Sequence, residues 1–388
     1  MYLSHLSLHD FRNFSQLSLT LGRGLYLFHG ENAQGKTNLL EAVAMLATSN
    51  SFHATSDREV VNWDAPDHIA RVNARVERSE DEVKIEIVII DPLPASSNGT
   101  SPAIPQANGQ RKRIKINGVP KKAADLVGQV TVVLFAPADL RLVDGAPEDR
   151  RRFLDRALCQ VRPQYCIALQ KYRKVVTQRS ALLKRIRENQ EDPRMLDYLD
   201  DRLTEWANII VFERQRMVQA LNQHVDRLQD TISGGRERLQ IAYRPSFYFD
   251  PNWNTLEALE GFRLQLKEAR RKEIYQGVCL LGPHRDDLEF LVNDVNMLTY
   301  GSRGQQRTAA LSTKLAELAY MRDSTGQEPL LLLDDVFSEL DIARRGYVLR
   351  MVLEHEQVLM TTTDFSGFPE EILEKAHRYK VVAGQVFD

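Results

Sequence analysis

Leu25-Tyr26-Leu27-Phe28-His29-Gly30-Glu31-Asn32-Ala33-Gln34-Gly35-Lys36-Thr37-Asn38-Leu39-Leu40 decides how this chain is read. Residues 30–37 fit GxxxxGK[ST], between a short apolar run (25–28) that reads as a strand and a helical pattern through Leu39, Leu40, Val43 and Leu46. A strand, a glycine loop and a helix in that order form a phosphate cradle. Gly30 and Gly35 let the backbone close on phosphate oxygens, while loop N–H groups and the helix N-terminus supply positive potential. Gly30, Glu31, Asn32, Ala33, Gln34, Gly35, Lys36, Thr37 and Asn38 are therefore the expected nucleotide-binding residues. Lys36 reaches the β- and γ-phosphates and Thr37 offers a hydroxyl to Mg²⁺.

Such a loop needs a carboxylate partner. Leu330-Leu331-Leu332-Leu333-Asp334-Asp335 reads as a buried strand ending in two acids. Asp334 is the expected magnesium ligand with Thr37. Asp335 is the expected catalytic group with Lys36, orienting the attacking water. Loop and acids lie about 300 positions apart, which excludes small GTPases and nucleoside kinases and implies a large insertion.

The rest of the chain fits that plan. Its 388 residues are long enough for two domains or one lobe with an elaborate insertion. At 43% hydrophobic and 27% charged residues, a fully disordered chain is excluded. With 51 Lys+Arg against 53 Asp+Glu, only local charge clusters could bind nucleic acid. No apolar run approaches the ~18 residues that cross a bilayer, and the first residues do not read as a secretory signal. Cys159, Cys166 and Cys279 form no CxxC pair. They predict a reduced, cytoplasmic protein, with Cys159 and Cys166 packed on one face of a helix.

Alternating segments at 69–76 and 83–90 predict antiparallel strands. Residues 92–109, rich in Pro, Ser, Gly and Asn, read as a flexible hairpin tip, followed by a return strand at 113–117 and an Asn117-Gly118 turn. Glycine is then absent between Gly145 and Gly234 while apolar residues take helical spacing, predicting a helical insertion of some eighty residues. Strands resume at 239–243 and 288–292, and a helix is expected at 305–322.

That last helix opens with Tyr300-Gly301-Ser302-Arg303-Gly304-Gln305-Gln306. Ser302, Gly304 and Gln305 match the serine, second glycine and glutamine of the ABC-type signature LSGGQ. A helix N-terminus with a hydroxyl but no lysine is too weak to hold ATP alone. It makes sense as the second half of a pocket, touching a γ-phosphate bound on another subunit. Ser338-Glu339-Leu340-Asp341 matches the D-loop SxLD. The strand at 358–362 ends in Thr363-Asp364, where ABC ATPases usually carry histidine.

With these motifs in order, the chain resembles the RecF family of bacterial DNA-repair ATPases, related to the heads of SMC-type proteins. Further blocks carry the resemblance: Asp10-Phe11-Arg12-Asn13-Phe14, Phe135-Ala136-Pro137-Ala138-Asp139-Leu140, Gly145-Ala146-Pro147, Arg150-Arg151-Arg152-Phe153-Leu154-Asp155, and above all Gly282-Pro283-His284-Arg285-Asp286-Asp287-Leu288. The resemblance runs nearly end to end. It implies an α/β ABC-type ATPase head with a second, mainly helical lobe. The boundaries expected are 1–138 and 325–388 for the ATPase core and 139–324 for the helical lobe with the signature. It further implies an ATP-dependent homodimer with weak hydrolysis, binding of duplex DNA near single-strand gaps, and help in loading RecA with RecR and RecO. The cofactors implied are ATP and Mg²⁺, with no membrane association and a cytoplasmic, nucleoid-associated location. Asp335 stands where ABC ATPases carry a longer glutamate, which fits slow turnover. Asp139 is the nearest match to a Q-loop residue.

Arg12 and Asp341 complete the expected nucleotide contacts, Arg12 with a turn arginine as its other reading. His284, Arg285 and Asp286 either line the path from signature to nucleotide or form a buried network. For DNA, residues 150–187 hold twelve Lys+Arg against Asp155 alone. Duplex DNA carries one charge per ~1.7 Å of axis, so Arg150, Arg151, Arg152, Lys171, Arg173 and Lys174 are candidate contacts, with a lobe-to-lobe strut as the other reading of 150–152. A second cluster, Arg111, Lys112 and Arg113, lies on the strand hairpin. At 1.5 Å per residue a forty-residue helix pair reaches ~60 Å, which excludes long SMC-style arms. The competing readings are a transporter ATPase subunit, a DNA-acting nuclease and a passive scaffold. The GPHRDDL block opposes the first, the 47 residues left after Asp341 the second, and the complete set of Lys36, Thr37, Asp334 and Asp335 the third.

Overall fold

The computed structural model describes residues 1–91 and 111–388. The expected hairpin tip at 92–109 lies outside the described residues. In chain order the elements are β1 (Tyr2–Phe11), β2 (Phe14–Thr20), β3 (Gly24–His29), α1 (Lys36–Thr48), β4 (Ile69–Glu77), β5 (Glu82–Ile90), β6 (Lys112–Ile116), β7 (Val119–Lys121), α2 (Ala123–Leu126) and β8 (Val132–Phe135). Then come α3 (Pro147–Val161), α4 (Pro163–Arg187), α5 (Leu196–Ser233), β9 (Leu239–Arg244), α6 (Thr255–Gln276), β10 (Asp287–Val292), β11 (Val295–Asn296), α7 (Met297–Tyr300) and α8 (Arg303–Thr325). The last are β12 (Leu330–Asp334), α9 (Ile342–Glu354), β13 (Gln357–Thr362), α10 (Glu370–Lys375), β14 (His377–Val382) and β15 (Gln385–Phe387).

The chain divides into two compact units, Met1–Pro137 with Met321–Asp388, and Ala138–Tyr320. The first holds two six-stranded sheets. One is antiparallel, in the order β2-β1-β4-β5-β6-β7. The other runs β15-β14-β3-β13-β12-β8, with β14, β3, β13, β12 and β8 parallel. Alternating side chains of β1, β4 and β5 send Leu6, Leu8, Val72, Val83 and Ile85 into a core shared with Leu332 and Leu359 of the parallel sheet. Helix α1 is buried on nearly every side, Leu39, Leu40, Val43, Met45 and Leu46 having no exposure. That explains why its apolar residues do not form a single stripe.

The second unit is mainly helical around a three-stranded sheet, β11-β10-β9. Its longest helix, α5, has 38 residues, about 57 Å at 1.5 Å per residue. It packs along α4, with Lys171 of α4 over the Trp206 ring of α5 at 4.3 Å. Arg162 and Pro163 break the first helical stretch in two. Cys159 therefore sits on α3 and Cys166 on α4, not on one helix face as the spacing predicted; a proline cannot donate the i→i−4 hydrogen bond. Helix α6 was not anticipated. Its outer face carries Leu256, Leu264 and Tyr275, which blurs the helical period.

Candidate functional site

Strand pairing explains how residues 297 positions apart meet. Strands β3, β13 and β12 run parallel and adjacent, with Phe28 opposite Thr361 and Thr361 opposite Asp334. The loop leaving β3 and the carboxylate ending β12 thus share one edge of the sheet, where open parallel sheets place their ligand sites. Thr37 Oγ1 donates to Asp334 Oδ1 at 2.9 Å, and Thr361 Oγ1 donates to the same oxygen at 2.8 Å. The Thr361 hydroxyl also accepts from the Asp335 N–H at 3.0 Å. One threonine, which sequence reasoning missed, therefore holds both acids. Asp335 itself adopts left-handed φ 48° and ψ 29°, a conformation an aspartate tolerates better than most residues.

The loop closes as its glycines demand. Gly30 has φ +154°, and a Cβ there would lie 2.4 Å from the Val381 carbonyl. Lys36 is buried, its ammonium donating to the Gly30 and Glu31 carbonyls at 2.5 and 2.7 Å. Burial lowers its pKa from the ordinary lysine value while Asp335 and Asp334 pull it back up. Burial raises the Asp335 pKa, and the charge of Asp334 raises it further. Burial also lowers that of His29, at the end of β3, helped by Lys380, Arg378 and Lys36. Asn32, Ala33, Gly35, Lys36, Thr37, Asn38, Asp334, Asp335 and Thr361 line a cavity of about 140 Å³.

Two supports of the loop come from far along the chain. Asn13 Nδ2 donates to the Gln34 carbonyl at 2.9 Å, and Asn13 Oδ1 accepts from Asn38 Nδ2 at 2.9 Å. The turn between β14 and β15 donates its Ala383 N–H to Gln34 Oε1 at 2.7 Å and its Gly384 N–H to the Gln34 carbonyl at 3.0 Å. Asn13 was quoted only as part of a motif, and nothing local marks Ala383 and Gly384.

The donor chemistry suits a nucleoside triphosphate with magnesium. Backbone N–H groups and an ammonium surround the cavity, and the paired oxygens of Thr37 and Asp334 are hard ligands of the kind Mg²⁺ takes alongside phosphate oxygens. No group of three His, Cys, Asp or Glu that could hold a metal by itself occurs among the described residues.

Arg12 does not line this cavity. Its Nε and one terminal nitrogen grip both oxygens of the buried Glu41 at 2.8 and 2.7 Å, and its other nitrogen donates to the Glu59 carbonyl at 2.8 Å. Engaged at all three nitrogens, it braces the turn that carries Asn13, which agrees with the reading of Arg12 as a turn arginine. Asp341 caps α9, accepting from the Arg344 N–H at 2.9 Å, and remains exposed.

In the second unit Ser302 and Gln305 cap α8 reciprocally. The Ser302 N–H donates to Gln305 Oε1 at 3.1 Å, and the Gln305 N–H donates to Ser302 Oγ at 3.3 Å. Both residues lie near the surface at the start of a 23-residue helix. Within the GPHRDDL block Asp286 is buried in a polar network, whereas His284 is half-buried and Arg285 exposed. Asp286 accepts from the Tyr243 hydroxyl, the Ser246 N–H and Arg214. Arg214, also missed, is fully buried and ties Asp155, Tyr165 and the Pro283 carbonyl together. Burial lowers the His284 pKa to about 4, and its Nδ1 accepts from the Tyr172 hydroxyl at 2.6 Å.

The basic stretch is thinner than its count. Arg150 is buried, forked onto Asp287 at 2.6 and 2.9 Å and donating to the Gly145 carbonyl at 2.8 Å, so it is withdrawn as a DNA contact. Arg151 is half-buried and donates to the Asp286 carbonyl at 2.8 Å. Arg152 pairs with Glu148 and Asp149, and Arg173 with Asp155, though both stay exposed. Lys171 and Lys174 are exposed on α4. In the first unit the strand period splits the second cluster. Arg111 and Arg113 face solvent, whereas Lys112 shares the inner face with Ile114 and Ile116, bonded to the Ser49 carbonyl and to Asp57. Lys112 is accordingly withdrawn as well. No helix among the described residues is long and apolar enough to cross a membrane.

Comparison with known proteins gives one consistent result. The model of the RecF/RecN/SMC N-terminal domain matches residues 2–384. DNA replication and repair protein RecF of Chloroflexus aurantiacus is 42% identical over 397 aligned positions, covering all of both chains. The protein of the same name from Halalkalibacterium halodurans is 37% identical, over 100% of this chain and 99% of its own. A solved structure of the recombination mediator protein RecF-ATP in the RecFOR pathway superposes with TM-score 0.86 at 30% identity, over 100% of this chain and 97% of that one. An SMC head bound to the C-terminal winged-helix domain of ScpA shares the fold alone, with TM-score 0.53 at 12% identity.

Proposed function

The chain belongs to the RecF family of DNA replication and repair proteins, an ABC-type ATPase head by fold, and from that premise we propose that it acts as an ATP-gated DNA clamp. One observation carries the reading. Thr37, Asp334, Asp335 and Thr361 form one hydrogen-bonded cluster beside the glycine loop in one unit, while Ser302 caps a near-surface helix N-terminus in the other. The loop at residues 30–38 would hold ATP with Mg²⁺. The helix N-terminus and hydroxyl at Ser302 then complete the pocket of a second protomer. Lys36 steadies the β- and γ-phosphates, Thr37 and Asp334 hold the metal, and Asp335 orients water. Asp335 is one methylene shorter than glutamate, so hydrolysis is slow.

Closure of the dimer brings duplex DNA against exposed cations. Arg152, Lys171, Arg173 and Lys174 of the arm, with Arg151 at its base, and Arg111 and Arg113 of the antiparallel sheet are the contacts proposed. Binding at the edge of single-strand gaps, cooperation with RecR and RecO in loading RecA, and a cytoplasmic location with the nucleoid are part of the same proposal, supported by likeness to the family. A filter-binding assay tests the composite pocket. Ser302→Arg should abolish ATP-stimulated retention of duplex while leaving ATP binding by the protomer intact; unchanged retention overturns the dimer model. The transporter reading finds no support, since the relatives that match from end to end carry DNA-repair names.

A further inference from the structure

The start of the signature helix is tied to the end of the arm helix by a closed circuit of hydrogen bonds. The Gln305 oxygen is occupied by the Ser302 N–H, so its Nε2 faces outward and donates to Glu237 Oε1 at 3.0 Å. The second oxygen of Glu237 accepts from Gln229 Nε2 at 2.7 Å. Gln229 Oε1 in turn accepts from the Ser312 hydroxyl at 2.8 Å, two turns further along α8. Gln229, near the end of α5, and Ser312 are both fully buried. Glu237 lies just past the α5 terminus, in a turn fixed by Ser233, whose hydroxyl accepts from the Glu237 N–H at 3.0 Å.

The Ser302 N–H can only donate, so it fixes the Gln305 amide with its NH₂ toward position 237; the Ser312 hydroxyl can donate or accept, so the Gln229 amide can meet position 237 with either end. Position 237 must therefore offer Gln305 an acceptor on a side chain long enough to reach both amides, which glutamate does. Glu237 lies outside the nucleotide cavity and in none of the motifs. Helix α5 packs along α4, which exposes Lys171 and Lys174. One pair of helices therefore bears the proposed duplex contacts at one place and the support of Ser302 at another.

We propose that Glu237 is a positioning residue for the ATPase, through which the arm helix sets the signature serine against a second protomer's nucleotide. The inference rests on the composite pocket proposed above. The test is Glu237→Ala in the full chain, read by ATP affinity of the protomer, ATP-dependent dimerisation in the ultracentrifuge, and hydrolysis with and without duplex. Protomer affinity should stay within about twofold. Dimerisation should weaken about tenfold, the factor that one net hydrogen bond of ~1.4 kcal/mol corresponds to. Stimulation of hydrolysis by DNA should fall with it. Glu237→Gln, in which the Gln229 amide can turn over against the Ser312 hydroxyl, keeps a donor for every acceptor and should retain most of the parent's dimerisation. Unchanged dimerisation in Glu237→Ala, or an equal loss of protomer ATP affinity, overturns the inference. Ser302→Arg run in parallel separates the two ideas. If it too leaves dimerisation intact, the composite pocket fails; if it alone blocks dimerisation, only the role of Glu237 fails.

Discussion

Replacing Thr361 by valine keeps the shape of the side chain and removes one hydroxyl, which isolates what that hydroxyl does. In the structure it donates to Asp334 Oδ1 at 2.8 Å and accepts from the Asp335 N–H at 3.0 Å. The first bond, to a carboxylate, is worth ~1.5–3 kcal/mol and the second ~1 kcal/mol. Thr37 also reaches Asp334, so the metal ligand keeps one of its two hydroxyl partners. Asp335 loses the bond that pins a left-handed backbone. Its carboxylate is then free to leave the direction in which it would hold water. A loss of ~1.4–2.8 kcal/mol of transition-state stabilisation predicts a 10- to 100-fold fall in turnover. Protomer ATP affinity should change far less, because none of the loop contacts is touched. The assay is single-turnover hydrolysis beside equilibrium binding of a fluorescent nucleotide, with Thr361→Ser as the control that should restore the rate. A Thr361→Val protein that hydrolyses ATP like the parent refutes the assignment of Thr361 as the holder of both acids.

Three more outcomes follow from the same geometry. Gly384→Ala should weaken ATP binding about tenfold in a titration, because a Cβ there would lie 2.0 Å from the Asn13 carbonyl, at φ +73°, in the turn that braces Gln34. Arg150→Ala should cost ~1.5–3 kcal/mol in denaturant unfolding by removing the fork onto the partly exposed Asp287, whereas Lys174→Ala should leave stability unchanged and reduce the salt dependence of duplex binding by about one ion. Asp335→Asn should abolish hydrolysis yet stabilise the protein at neutral pH. The folded pKa of Asp335 is raised, so the favourable contribution of its protonated form is complete below the ordinary aspartate value and is lost as pH rises through the folded value. The variant, uncharged throughout, should show a flatter dependence of stability on pH across that window.

The sequence by itself determined the class of the fold and the chemistry of the pocket. Glycine, lysine and threonine at fixed intervals after an apolar strand have one common physical use, and an apolar strand ending in paired acids supplies what that use requires. Local spacing carries both messages, since the strand and helix that present these groups are contiguous in the chain. Charge counting failed where pairing mattered. Arg150 and Lys112 look like their neighbours in a string of cations, yet one is forked onto Asp287 and the other lies on the inward face of its strand. The strand period could have separated Lys112 from Arg111 and Arg113; nothing local could have found Asp287, which lies 137 positions from Arg150.

Only the tertiary structure decided which groups hold the pocket in shape. Thr361, Asn13, Ala383 and Gly384 come from strands and turns scattered across the chain, and each acts through one or two hydrogen bonds that depend on sheet order and register. A hydrogen bond is short-ranged and directional, so a residue's partner is fixed by where the backbone has been carried, and the sequence around it holds no trace of that partner. The same reason hides Glu237 among ordinary surface acids until α5 and α8 are seen side by side.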